Sequence, residues 1–207
     1  VETMARRSNL PVTVKHRLGI DDLDTDELLL KFVDQVASAG AKRFVVHARK
    51  AWLEGLNPKQ NRTIPPLQYE RVASLKKERP KLKIELNGGL SNPNDCFQAL
   101  ETFDGTMVGR AAYSHPLRWQ QIDEIIYGET TQFINASKVI RGLIPHAQEH
   151  INKGGKVWDF CRHALHLVEG IPGARLWRKN LCLEAQSKNT DIHVLEIAAR
   201  QLEDAGL

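Results

Sequence analysis

At 207 residues, 42% hydrophobic and 26% charged, the chain has room for one large domain or two small ones. No apolar run approaches the roughly 18 residues of a membrane-spanning helix and no signal peptide is visible, so a cytoplasmic chain without a membrane partner is expected. The net charge of +4 is uneven, with 18 Lys and Arg against 14 Asp and Glu up to Ser114 and 11 of each from His115 onward, which fits a polyanionic partner and fits solubilising lysines equally well.

Residues 1–9 (VETMARRSN) read as the tail of a helix already under way, so a portion preceding Val1 is expected. Residues 11–17 (PVTVKHR) form a strand-like run. A helix then opens near Thr25: Thr25 suits the N-cap, Asp26 and Glu27 suit the positive end of the dipole, and Leu28, Leu29, Phe32, Val33 and Val36 recur at helical spacing. Gly40 is its expected stop. A second strand over 43–48 (RFVVHA) leads through a long polar loop to a helix over 68–78, halted by Pro80. A third strand over 82–89 (LKIELNGG) precedes a short helix over 95–101, and 105–110 (GTMVGR) is the fourth strand. Beyond Pro116 the pattern becomes purely helical, at about 117–127, 132–152, 157–169, 174–185 and 191–204.

Strands alternating with helices predict an α/β fold with a parallel sheet, and apolar runs such as Phe44-Val45-Val46 suit strands covered on both faces. Four βα units make half of an eight-stranded barrel or most of a small doubly wound sheet. The helical remainder predicts a second domain, giving expected domains of 1–114 and 115–207. Cys96, Cys161 and Cys182 are odd in number and lack metal-type spacing, so reduced thiols and no metal site are expected.

Ligands of parallel βα folds sit at the carboxyl ends of the strands. Here those ends carry Lys15-His16-Arg17, His47-Ala48-Arg49-Lys50, Asn87-Gly88-Gly89 and Gly109-Arg110, a cation or a glycine every time. Asn87-Gly88-Gly89 lets backbone N–H groups approach an anion with no Cβ in the way, and Gly109-Arg110 adds a guanidinium suited to phosphate. A tight turn explains Asn-Gly-Gly equally well. Lys15, at the end of an apolar strand, either faces an electron-rich or anionic ligand or snorkels to solvent. His47 suits a ligand contact or a satisfied core histidine, and His16 points to the face opposite Lys15. The loop over 49–66 holds Arg49, Lys50, Lys59 and Arg62 against Glu54, with Trp52, a composition that suits a nucleic-acid backbone and a stacked base.

The segments PVTVKHRLGIDD, FVVHARKAWLEGLNPKQNR, IELNGGL and MVGRAAYSHP resemble the tRNA-dihydrouridine synthases, specifically the A-type branch acting on D-loop uridines 20 and 20a, and RHALHLVEGIPGARLWRKNL extends the likeness. The resemblance implies an FMN-binding (β/α)8 TIM barrel, of which this chain holds the second half, followed by a helical bundle that helps hold tRNA. It implies reduction of uridine by flavin, with NADPH as reductant and a cysteine as proton donor. Lys15, His47, Asn87, Gly88, Gly89, Gly109 and Arg110 would then hold FMN, and Arg17, Lys59, Arg62, Arg175 and Arg178 would contact tRNA. The family's cysteine lies upstream of PVTVKHR, in a half of the barrel that this chain does not contain, so no catalytic residue is assigned here and the chain alone is expected to be inactive. Two alternatives remain at this point. One is a phosphate-binding flavoprotein of the dihydroorotate dehydrogenase type, without tRNA affinity; the other is a non-catalytic tRNA-binding remnant.

Overall fold

The computed structural model describes residues 1–187 and 190–207. Short-range signals decide the first elements. After the helix α1 (Glu2–Arg7), β1 (Thr13–Arg17) leads to α2 (Asp26–Ser38), whose N-terminus is capped by the Thr25 side chain accepting the Leu28 N–H. Gly40, at φ +111°, turns the chain out of α2 into β2 (Arg43–His47). α3 (Tyr69–Glu78) and β3 (Lys83–Asn87) follow. Asn92 then caps α4 (Pro93–Ala99) by accepting the Asp95 N–H, with Pro93 in the first turn where its missing donor is harmless. β4 (Gly105–Met107) is the last strand.

The four strands form one parallel sheet in the order β1-β2-β3-β4. Because that order never reverses, right-handed crossovers place α2, α3 and α4 on a single face. A complete doubly wound sheet has a reversal and helices on both faces; these four strands, without a reversal, are consistent with a partial (β/α)8 barrel. On the helix-covered face the register aligns Phe44 with Ile84 and Val46 with Leu86, all at most 2% exposed. With Leu29, Val33, Val72 and Leu75 these form the core, each side chain contributing about 1.5–3 kcal/mol by leaving water. Arg79 ties α3 to α2 through a two-pronged pair with Asp34 at 2.6 and 2.7 Å.

The opposite face is uneven: β2 is buried on both faces from Phe44 to His47, as its apolar run suggests, whereas Thr13, Lys15, Arg43 and Lys83 are exposed. The successive rows of this face are Thr13, Arg43 and Lys83; then Lys15, Val45, Glu85 and Gly105; then Arg17, His47, Asn87 and Met107. Arg43 and Glu85 pair across it at 2.9 Å. Lys15 lies on this face and is exposed rather than buried.

Two compact units emerge, Val1–Gly109 and Arg110–Leu207. The division precedes the expected 114/115 boundary because the short helix α5 (Arg110–Ser114) packs with the 3-10 turn Pro116–Trp119 that follows it. The second unit continues with α6 (Ile122–Tyr127), α7 (Ala136–Asn152), α8 (Trp158–Ala164), α9 (Ala174–Ala185) and α10 (His193–Asp204). α10 packs on α7 and α9, and α8 packs on α9, around a core that includes Ile140, Ala147, Cys161, Val168, Leu181 and Leu195. Trp177 is buried there and donates its indole N–H to the Ala198 carbonyl at 3.1 Å. The expected helix over 157–169 ends at Ala164, and that over 132–152 starts only at Ala136, after Asn135 caps it through the Lys138 N–H.

Candidate functional site at the strand ends

The row Arg17–His47–Asn87 closes the carboxyl end of the sheet. Arg17 donates through Nη1 to two loop carbonyls, those of Lys50 at 2.8 Å and Asn61 at 2.9 Å. Asn87 donates through Nδ2 to the Met107 carbonyl at 2.7 Å, which clamps the end of β3 to the end of β4. His47 is buried, with its Nε2 beside Gly88. Neighbouring strands thus bring Arg17, His47 and Asn87 together.

Gly88 and Gly89 have φ values of +105° and +77°, where side chains are strained. A Cβ on Gly89 would fall 2.5 Å from both Leu67 Cδ1 and Tyr69 Oη. Tyr69 donates its hydroxyl to the Gly88 carbonyl at 2.7 Å. The chain's own packing therefore requires both glycines, as the tight-turn reading holds. The turn also leaves donors: among the described residues, neither the Gly88 nor the Gly89 N–H donates to a backbone carbonyl. Gly109 behaves differently, because a Cβ there would meet nothing within 4 Å and its φ is not left-handed. Arg110 follows at the start of α5 and is exposed; it is the first residue of the second unit.

Lys15 stands one row below Arg17 on the same face. Partial desolvation, and then the Arg17 charge, draw its ammonium below the usual lysine value. Arg17 itself is drawn down by burial and then by the charges of Arg49 and Arg62. The charges of Arg49 and Arg62 thus both act on Arg17 where β1 meets the loop. Arg17 donates to the carbonyls of Lys50 and Asn61, and Arg49 donates to that of Pro65.

Asn61 builds that loop, and nothing in the sequence pattern marks it. It is 9% exposed, and its amide accepts the Trp52 N–H at 2.7 Å while donating to the carbonyls of Trp52 at 2.5 Å and Leu56 at 3.2 Å. The fold holds Lys59 and Arg62, both exposed, at the two ends of one turn around Gln60–Arg62. Lys50 and Trp52, by contrast, face each other, with Nζ 5.4 Å from the ring centroid and the ammonium 3.5 Å from Asp24. The open aromatic expected in this loop is thus partly occupied. Tyr69 and Leu67 were likewise invisible in the sequence, because their partners lie about 20 residues away.

In the second unit, Arg175 is exposed and Arg178 half-buried, one turn apart on α9. Cys161 is fully buried, which pushes its thiol up to about 12, and burial also raises Cys96. Cys182 is half-buried, with its sulfur 2.9 Å from Gln186 Nε2. Among the described residues no cluster of His, Cys, Asp and Glu is arranged to hold a metal ion, and no helix is long and apolar enough to cross a membrane.

The sequence profile of the dihydrouridine synthases matches residues 1–203. The chain belongs to the dihydrouridine synthase family. Among curated members named tRNA-dihydrouridine(20/20a) synthase, that of Shewanella oneidensis is 40% identical over 98% of this chain and 61% of its own length. That of Synechocystis sp. is 46% identical over 87% of this chain and 54% of its own length. That of Salmonella typhimurium is 41% identical over 99% of this chain and 62% of its own length. The chain thus spans about three-fifths of the length of the dihydrouridine synthases it matches, and the match runs through both units.

Proposed function

We propose that this chain is part of an enzyme that reduces the C5–C6 double bond of D-loop uridines 20 and 20a in tRNA, with FMN held at the strand ends and NADPH as reductant. On this reading, residues 1–114 are the second half of an FMN-binding (β/α)8 barrel and 115–207 a helical tRNA-binding domain, in a cytoplasmic protein. Family membership and the names of the relatives support it. The observation that carries it is the grouping of Lys15, Arg17, His47, Asn87, Gly88 and Gly89 on one face at the carboxyl ends of a parallel sheet.

The residues present fit a flavin phosphate: two glycine N–H groups that, among the described residues, donate to no backbone carbonyl, and a Gly109 around which a Cβ would find open space. FMN bound at these residues would supply hydride chemistry toward C6 of the uracil. Gly88 and Gly89 offer their N–H groups to the phosphate, Gly109 leaves the backbone open to it, and Arg110 contributes a guanidinium. Asn87 acts by fixing the two strand ends together, and His47 walls the turn. Lys15 places a cation on the same face, suited to an anionic reduced ring. Arg17 anchors the loop through Nη1, which leaves Nε and Nη2 as donors for a uracil carbonyl. Lys59, Arg62, Arg175 and Arg178 are exposed or half-exposed cations for the RNA backbone. Cys96 and Cys161 are buried thiols raised by desolvation, and Cys182 lies in the helical unit. None is suited to protonate C5, so the chain alone binds without turning tRNA over.

The test compares FMN with riboflavin, which lacks the phosphate, and measures tRNA binding across a salt series. Loss of charge-assisted hydrogen bonds of about 1.5–3 kcal/mol predicts riboflavin binding weaker by about tenfold or more. tRNA affinity falls steeply with salt if lysine and arginine meet phosphates. Equal binding of the two flavins, or tRNA binding indifferent to salt, would overturn the assignment.

A further inference from the structure

Tyr113, on α5, is 51% exposed yet held from two sides. Its hydroxyl oxygen lies 3.0 Å from His163 Nδ1, and its ring centroid lies 4.5 Å from that of His166 and 5.7 Å from that of His163. His163 Nε2 in turn takes the Arg162 Nε–H at 3.2 Å. Glu169 lies 3.8 Å from His166 Nδ1 and 3.9 Å from His115 Nδ1, flanking the ring beneath the phenol. All of these residues belong to the second unit.

Proton inventory gives this chain a direction. An arginine Nε–H can only donate, so His163 Nε2 accepts and carries no proton. The imidazole proton then sits on Nδ1 and is donated to Tyr113 Oη. With its oxygen already accepting from His163, the phenol directs its own O–H elsewhere, as a donor whose position is set in advance. Fixing an exposed side chain costs rotamer entropy, and water alone would satisfy a phenol at no such cost. The relay therefore makes physical sense where a ligand oxygen is to be met without further ordering.

We propose that the Tyr113 hydroxyl donates to a backbone phosphate oxygen of bound RNA, with His163 as its positioning residue. This rests on the tRNA reading above. Phosphate and sugar oxygens accept most hydrogen bonds from proteins to nucleic acids, tyrosine hydroxyls among the donors. Arg162 in the relay and Arg110 one turn earlier on α5 supply cations for an anion, while the Glu169 carboxylate of the same cluster lies against the His115 and His166 rings.

The experiment measures tRNA binding to the 207-residue chain across a salt series for wild type, Tyr113→Phe, His163→Leu and the double variant. Tyr113→Phe removes one exposed oxygen and its bond to His163, a small loss of stability that leaves the chain folded. Its affinity falls by about tenfold, the share of one hydrogen bond to a charged group. The slope of log affinity against log salt stays unchanged, because a neutral hydroxyl displaces no counterion. His163→Leu loses a similar factor alone and nothing more on top of Tyr113→Phe, since it acts through the phenol. Wild-type affinity in Tyr113→Phe, an altered salt slope, or losses that simply add would each overturn the proposal while leaving the tRNA reading intact. A wild-type chain whose tRNA binding ignores salt would overturn both.

Discussion

Replacing Asn61 by alanine would open the loop over 49–66 without unfolding the sheet beneath it. The side chain makes three hydrogen bonds, to Trp52 N–H, Trp52 O and Leu56 O, in a position only 9% exposed. Each contributes about 1 kcal/mol net, so alanine removes about 3 kcal/mol of local stability. That corresponds to roughly 100-fold more frequent opening of the loop. Native-state hydrogen exchange reads this directly, because the Trp52 N–H loses its acceptor. The amide of residue 62, which donates to Lys59 O at 3.1 Å, sits on the turn that Asn61 supports. Both exchange about 100-fold faster in the variant, while amides in α2 and α3 hold their rates. The tRNA salt slope falls as well, because Lys59 and Arg62 no longer share one ordered turn. An unchanged Trp52 exchange rate, or equal acceleration of every amide, would show that the loop is not built on this residue.

Two further outcomes follow from titratable groups. His150 hydrogen-bonds Asp159 at 2.9 Å and holds its carboxyl below the ordinary value of 3.8, helped by the Lys156 N–H. A depressed carboxyl stabilises the fold above its unfolded value, and that contribution disappears as pH falls through the folded one. Asp159→Asn therefore lowers stability at neutral pH, and the gap closes on acidification below about pH 4; urea melts at several pH values measure this, and a gap that widens in acid contradicts the reasoning. Among the cysteines, Cys161 at about 12 and buried Cys96 resist alkylation in the native state, whereas half-buried Cys182 reacts first. Mass spectrometry before and after denaturation reads the order, and early labelling of Cys161 would refute its burial.

Local elements of this fold were legible in the chain because their causes lie within a few residues. Thr25 caps α2 through Leu28, and Asn92 caps α4 through Asp95, each three residues on. The strand tips were legible as well, since Asn87-Gly88-Gly89 and Gly109-Arg110 are themselves contiguous. Residue patterns left barrel and doubly wound sheet open; the unreversed strand order, a relation among segments tens of residues apart, is consistent with a partial barrel.

What sequence alone determined is the set of βα units, the cations and glycines at their ends, and the change to helices beyond Pro116. Tertiary structure alone decided how those residues are used. Lys15 is exposed, and Arg17 turns to Lys50 and Asn61, 33 and 44 residues away. Asn61 became visible only once the loop closed on itself, and Tyr113 only when α8 brought His163 to a helix 50 residues earlier. Propensity and capping act over one turn of chain, whereas burial and hydrogen-bond partners are settled by packing between distant segments, and the direction of a functional side chain depends on the latter.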